Sequence, residues 1–221
     1  MTELELRGLA ALTAAKWLGT KEGSADHDTI LAIYNSIRPL PRGYAVREAD
    51  PWCAAFASAA AVMAGAGEHY PLECSCAKII EGAKKKNIWQ ERDDHLPGIG
   101  DWVLYDWQSK PDGDNSGQPD HVGVVIGIEN GEILAVEGNY DNAVKLRRFP
   151  VDWGKLRGFV CPVWEEEQMI YHTMVDVPAY ARPTIEKLVS DGSLLGIAED
   201  DLGLTEELLR TLVILDRRGR L

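Results

Sequence analysis

The chain has 221 residues and carries 35 Asp and Glu against 23 Lys and Arg, a formal net charge of −12. That length can bury one ordinary core with an appendage, or two small ones, and the acidic balance excludes the electrostatic footprint of a nucleic-acid or anionic-membrane binder. The start "MTELELRGLAALTAAKWLG" is interrupted by Glu3, Glu5 and Arg7, so it reads as a helix rather than a secretory leader. No window approaches the roughly 20 apolar residues of a membrane span. The expectation is synthesis in the cytoplasm without a signal peptide, with neither membrane insertion nor a nucleic-acid partner.

In chain order, Leu4, Leu6, Leu9, Leu12, Ala15 and Leu18 recur at helical spacing and predict a first helix. A second, short helix is predicted over "TILAIYNSI" with Asp28 as its cap, ended by Pro39 and Pro41. The run "PWCAAFASAAAVMAGAG" predicts a third helix that stops at Gly65 and Gly67, with Asp50 at the cap and Pro51 in the first turn. Its alanine surface suits close packing against something flat. "CSCAKIIEGAKKKNI" predicts a fourth helix with Ser75 as cap and lysines at the end that favours cations.

Beyond "HLPGIG" the pattern turns to short β-rich runs: "DWVLYDW", "HVGVVIGIE", "EILAVEGNY", "VKLRRFP" and "LRGFVCPVW". The turn signals between them are "PDGDNSGQPD", "ENGE" and "NYDNA", and Asn-Gly in "IENGEI" predicts a type I′ hairpin. Helices followed by an antiparallel sheet define an α+β domain. After Val163 come three consecutive glutamates, then two helical stripes: Ile185, Leu188 and Val189, and Leu208, Leu209, Leu212, Val213 and Leu215. The expected organisation is a domain over residues 1–165, a linker over 166–174 and a small helical module over 175–221, with Thr205 starting its last helix. That module is assigned either wall binding or dimerisation, which would make the protein a homo-oligomer, against plain packing.

Four cysteines in a chain without a secretion signal argue for free thiols. Cys74 and Cys76, with His69 upstream, make half of a zinc pattern, but no second pair exists, so neither metal nor cofactor is expected. Cys53 differs from the others. At a helix start, unpaired N–H groups and the positive end of the dipole favour a thiolate, and its own N–H can face a developing oxyanion. His121 opens a strand beside a loop, where a general base is reachable. Glu137 and Asn139 stand two apart on the next strand, on one face, where either can accept from the far imidazole nitrogen and fix its tautomer. Trp89, Trp102 and Trp107 are assigned to core packing or, for one of them, to a glycan or peptide groove that aromatic faces suit; Trp107, and Trp52 beside Cys53, are the substrate candidates. His27, His69, His95 and His172 have no defensible partner spacing and are assigned to surface or packing.

Cysteine at a helix start, histidine at a strand start and a polar orienter on the next strand form the papain-like order. As a set, "PWCAAF", "PGIGDWVLYDW", "PDHVGVVIGI", "AVEGNYD" and "RGFVCPVW" resemble the CHAP family, cysteine- and histidine-dependent amidohydrolases and peptidases that cut peptidoglycan. The resemblance spans roughly residues 10–165. It implies a papain-like α+β fold in which N-terminal helices pack on an antiparallel sheet. It also implies that Cys53 attacks an amide carbonyl, that His121 exchanges the proton, and that Glu137 or Asn139 orients His121. The implied substrate is bacterial peptidoglycan, cut at the muramoyl-alanine amide or within its peptides, in the manner of a phage or prophage endolysin acting on the wall after release. Many relatives carry Gln just before the nucleophile where this chain has Trp52, which leaves the second oxyanion donor unnamed. The segment "RGYAVREADPW" is too poor in acids for the calcium loop of some relatives. Two alternatives use the same scaffold: a non-catalytic binding protein, and a transglutaminase or deamidase acting on protein amides.

Overall fold

A computed structural model describes residues 3–91, 95–107, 117–163, 170–198 and 201–221. The chain divides into two compact units, Met1–Trp164 and Glu165–Leu221. Parts of the expected turn before Asp120 and most of the glutamate-rich stretch lie outside the described residues.

The first unit begins with four helices: α1 (Glu3–Lys16), α2 (Ala25–Asn35), α3 (Cys53–Met63) and α4 (Cys76–Lys85). Six strands follow: β1 (Trp89–Glu91), β2 (Trp102–Tyr105), β3 (His121–Glu129), β4 (Glu132–Glu137), β5 (Lys145–Pro150) and β6 (Leu156–Val160). They form one antiparallel sheet in the order β1-β6-β2-β3-β4-β5. This is the α+β arrangement expected. Asn130 and Gly131 both have positive φ in the β3–β4 hairpin, as a type I′ turn requires.

Alternation along the strands sorts the sheet into two faces. Trp102, Leu104, Val122, Val124 and Val136 join the helices in the larger core, while Val103, Tyr105, Val125, Ile133, Ala135 and Phe149 build a second, smaller one. At the centre of the larger core lies α3, with every residue from Cys53 to Ala61 buried. Alanines let neighbouring backbones approach closely. Accordingly α1 buries Ala10 and Ala14, packs Leu6, Leu9 and Ala15 partly against the same core and leaves Leu12 exposed, so only part of the predicted stripe faces inward.

Two expected caps fall elsewhere. Ser24, not Asp28, caps α2, accepting from the His27 N–H. Asp50 does not cap α3: its carboxylate accepts from the Arg47 backbone and side chain and from the Tyr44 hydroxyl, and Trp52 holds the capping position without a side-chain bond. Ser75 precedes α4 as expected but makes no side-chain cap bond either.

The second unit holds β7 (Ile170–Tyr171) paired with β8 (Leu204–Thr205), and two helices, α5 (Arg182–Ser190) and α6 (Glu206–Arg217). Thr205 caps α6 by accepting from the Leu208 N–H. Tyr171, Val177, Ile185, Leu204, Leu209 and Val213 supply its core. No described helix of the protein is long and apolar enough to cross a membrane.

Candidate active site

Cys53 is the first residue of α3, His121 the first of β3 and Glu137 the last of β4, so a helix start and two strand ends meet. The first helical bond of α3 runs from the Phe56 N–H to the Trp52 carbonyl, which leaves the N–H groups of Cys53, Ala54 and Ala55 ahead of the helical ladder. One of them, from Ala54, supports the Cys53 sulfur.

Glu137 is fully buried and its carboxylate is held from three sides. The Tyr105 hydroxyl donates to it at 2.6 Å, Arg147 Nε donates to both oxygens at 2.8 and 3.0 Å, and His121 Nε2 lies 3.1 Å from Oε2. These partners offset the cost of burying a carboxylate. With Nε2 committed to Glu137, Nδ1 is the nitrogen left for the thiol. Glycine at 123 makes this geometry feasible, because a Cβ there would lie 2.8 Å from Glu137 Cγ and 3.4 Å from the Tyr105 hydroxyl.

The electrostatics favour a charge-separated pair. The Cys76 thiol, 3.9 Å from Cys53 Sγ, holds the Cys53 pKa well below the ordinary thiol value against the opposing effect of burial, and His121 adds to the lowering. Cys76 is pushed well above that value, so it keeps its proton and donates. Burial works against a charged His121, but its bonds to Cys53 and Glu137 prevail and raise it to about 9. Tyr105, buried against Glu137, is held well above the ordinary phenol value and remains a donor.

The sequence-assigned residues are not all gathered here. Asn139, at φ 56° in the turn after β4, lines a cavity beside His121 but is not among that histidine's hydrogen-bond partners in the described residues. Trp107 lines the same cavity and stacks on Tyr105 with centroids 5.0 Å apart. Trp52 does not face a groove: it is fully buried, donates from Nε1 to Glu22 at 3.0 Å and packs on His27 and Phe56. Its assignment to substrate is therefore corrected to anchoring the start of α3. Sequence reasoning missed Cys76, Tyr105 and Arg147. The spacing of Cys74 and Cys76 suggests half of a zinc pattern; in the structure Cys76 faces Cys53, while the Cys74 sulfur accepts from Arg42.

A separate group, His95, Asp101 and Cys161, brings its donor atoms within 4.8 Å of one another. Arg7 pairs with one Asp101 oxygen and the Gly98 N–H bonds the other. Burial and Asp101 hold the Cys161 thiol well above its ordinary value, so this donor set is poorly suited to a cation.

A thiol at a helix start, an imidazole opening a strand and a carboxylate behind it define the papain-like class of cysteine site. Residues 44–139 match the family model of the CHAP domain, an interval that takes in Cys53, His121 and Glu137. Over that interval, less than half of its length, the chain is similar to the CHAP domain of cysteine- and histidine-dependent amidohydrolases and peptidases. Among solved structures, one titled "The crystal structure of Ly7917" is similar at 15% identity and a TM-score of 0.39, covering 71% of this chain and 62% of that one. This chain thus spans less than two thirds of that structure. No curated protein sequence matches the chain.

Proposed function

We propose that the protein is a cysteine amidase or endopeptidase that cleaves an amide bond of bacterial peptidoglycan. The observation that supports this most is the Cys53, His121 and Glu137 constellation lying inside the interval matched by the CHAP domain. In this reading the Cys53 thiolate attacks the amide carbonyl, and its own N–H at the start of α3 receives the oxyanion. The His121 imidazolium delivers its proton to the leaving amine. The neutral imidazole then takes a proton from water, which attacks the thioester and releases the acid and the thiolate. Glu137 keeps the Nε2 proton in place and stabilises the imidazolium, and Tyr105 and Arg147 hold Glu137.

The reading extends to a phage-type lytic role, in which the protein is made in the cytoplasm and meets the wall after another protein opens the membrane. The second unit is assigned to wall binding or to dimerisation. The test is turbidity clearing of isolated cell walls by wild type and Cys53→Ala, with mass analysis of the products. Clearing by wild type with new amine ends, abolished in Cys53→Ala, is expected. Equal clearing by both, or by neither across many wall types, would remove the basis of the proposal.

A further inference from the structure

Arg147 does more than neutralise Glu137. All of its hydrogen bonds within the described residues run through Nε, so both terminal amino groups of the guanidinium are left without a described partner. The guanidinium carbon lies 3.9 Å from the ring centre of Tyr140, 5.3 Å from that of Trp107 and 5.7 Å from that of Tyr105. Two constraints thus fix its plane before any ligand arrives: the bifurcated bond to a buried carboxylate and the aromatic faces around it. A guanidinium held in this way presents two parallel N–H donors at little further entropic cost, the geometry that matches a carboxylate.

Arg147 lines a cavity of roughly 410 Å³ together with His121, Trp107, Trp153, Asn139, Tyr140 and Asp141. The cavity is contiguous with the catalytic imidazole, so a group bound there belongs to the molecule being cut. Its acidic member is engaged by a cation of its own: Lys145 pairs with Asp141 at 2.9 Å and lies 5.1 Å from the ring centre of Tyr140. The walls are aromatic, with Trp107 and Trp153 centroids 5.7 Å apart, and suit the carbon skeleton that carries the acid.

We infer that this cavity is a specificity subsite for a free carboxylate on the peptide part of the substrate, with Arg147 as the residue that reads it. This rests on the proposed hydrolase activity and adds the chemical class that the site selects. A substrate whose carboxylate is converted to a carboxamide would keep the shape but lose the charge-assisted pair. Arg147→Lys would keep a positive charge near Glu137 but lose the planar fork.

The probes are soluble muropeptides released from one bacterial wall preparation, and the same muropeptides after carbodiimide coupling of their carboxylates to ammonia. For the wild type, amidation is expected to raise KM by about tenfold or more, the loss of one charge-assisted pair, with a smaller effect on kcat. For Arg147→Lys the ratio of kcat/KM between the two substrates is expected to approach one, whatever the variant's absolute activity. Equal KM for both substrates in the wild type, or a discrimination ratio unchanged by Arg147→Lys, would overturn the subsite. A parallel arm separates this from failure of the hydrolase reading: the free and amidated muropeptides are titrated onto Cys53→Ala while tryptophan fluorescence is followed. Quenching by the free form at concentrations where the amidated form gives none supports the subsite even if neither is cut. Identical titrations, or none, refute it.

Discussion

At the residue scale the decisive feature is that one imidazole is held between a thiol and a carboxylate, so the proton sits on the ring rather than on sulfur. Cys53 is held well below its ordinary value while His121 is raised to about 9, which opens a pH window in which thiolate and imidazolium coexist. Activity on soluble muropeptides should therefore fall as pH rises through about 9, where His121 loses the proton that the leaving amine needs. Glu137→Gln removes a group that supports the imidazolium, so it should move this alkaline limb to lower pH and cut kcat by about a hundredfold or more. A pH profile of kcat with the limb unmoved would show that Glu137 acts only in packing. The thiol Cys76 makes a separate prediction. Cys76→Ala deletes the thiol donor 3.9 Å from the Cys53 sulfur and should slow alkylation of Cys53 by iodoacetamide at pH 7 by about tenfold, with the rate recovered at higher pH. Alkylation at the wild-type rate would mean that the helix start and His121 suffice.

At the scale of elements, the site depends on how closely the end of β4 approaches α3. A Cβ at Gly138 would lie 2.5 Å from Phe56 Cβ and 2.9 Å from Trp52 Cζ3, so the residue after Glu137 presses directly on the helix that carries Cys53. Gly138→Ala should cost about 1–3 kcal/mol in denaturant unfolding, through overpacking, and should lower turnover by displacing Glu137. Gly127→Ala is the control, because its added methyl meets nothing within 4 Å in the same sheet. Equal stability of the two variants would show that the helix yields without cost.

The same elements explain what could be read from the sequence. The strands from β2 to β6 were legible because alternation and the Asn-Gly turn are local signals. Cys53 and His121 were legible because each starts an element beside a recognisable neighbour, whereas Glu137 was legible only as one of two candidates with Asn139, two residues apart on the same predicted strand. The three-residue β1 was too short to carry a period. Tyr105 was hidden because its role follows from register: it pairs across with His121, which no local pattern reports. Arg147 was hidden in the same way, opposite Ala135 on the neighbouring strand. Asp50 reads as a cap because an acid directly before Pro-Trp-Cys has the look of one, whereas Arg47 and Tyr44 hold it in the structure.

At the scale of the whole molecule, the two units draw their apolar cores from separate stretches of sequence. The clusters of the first unit run from Leu6 to Cys161, and that of the second from Tyr171 to Val213. The second unit spans residues 165–221, a size at which a single core supplies only about 3–5 kcal/mol of stability. It should therefore unfold at lower denaturant than the first, giving two transitions in far-UV circular dichroism, the first without loss of Cys53 alkylation at neutral pH. Removal of residues 165–221 should then leave hydrolysis of soluble muropeptides within about twofold of the full chain, since Tyr105, His121 and Arg147, which hold Glu137, all come from the first unit. Clearing of whole walls is the quantity that should drop if the second unit supplies wall affinity or a second copy of the catalytic unit. A truncated chain that clears walls as fast as the full one would assign the second unit to neither role, while one that loses activity on soluble muropeptides would make it part of the catalytic fold.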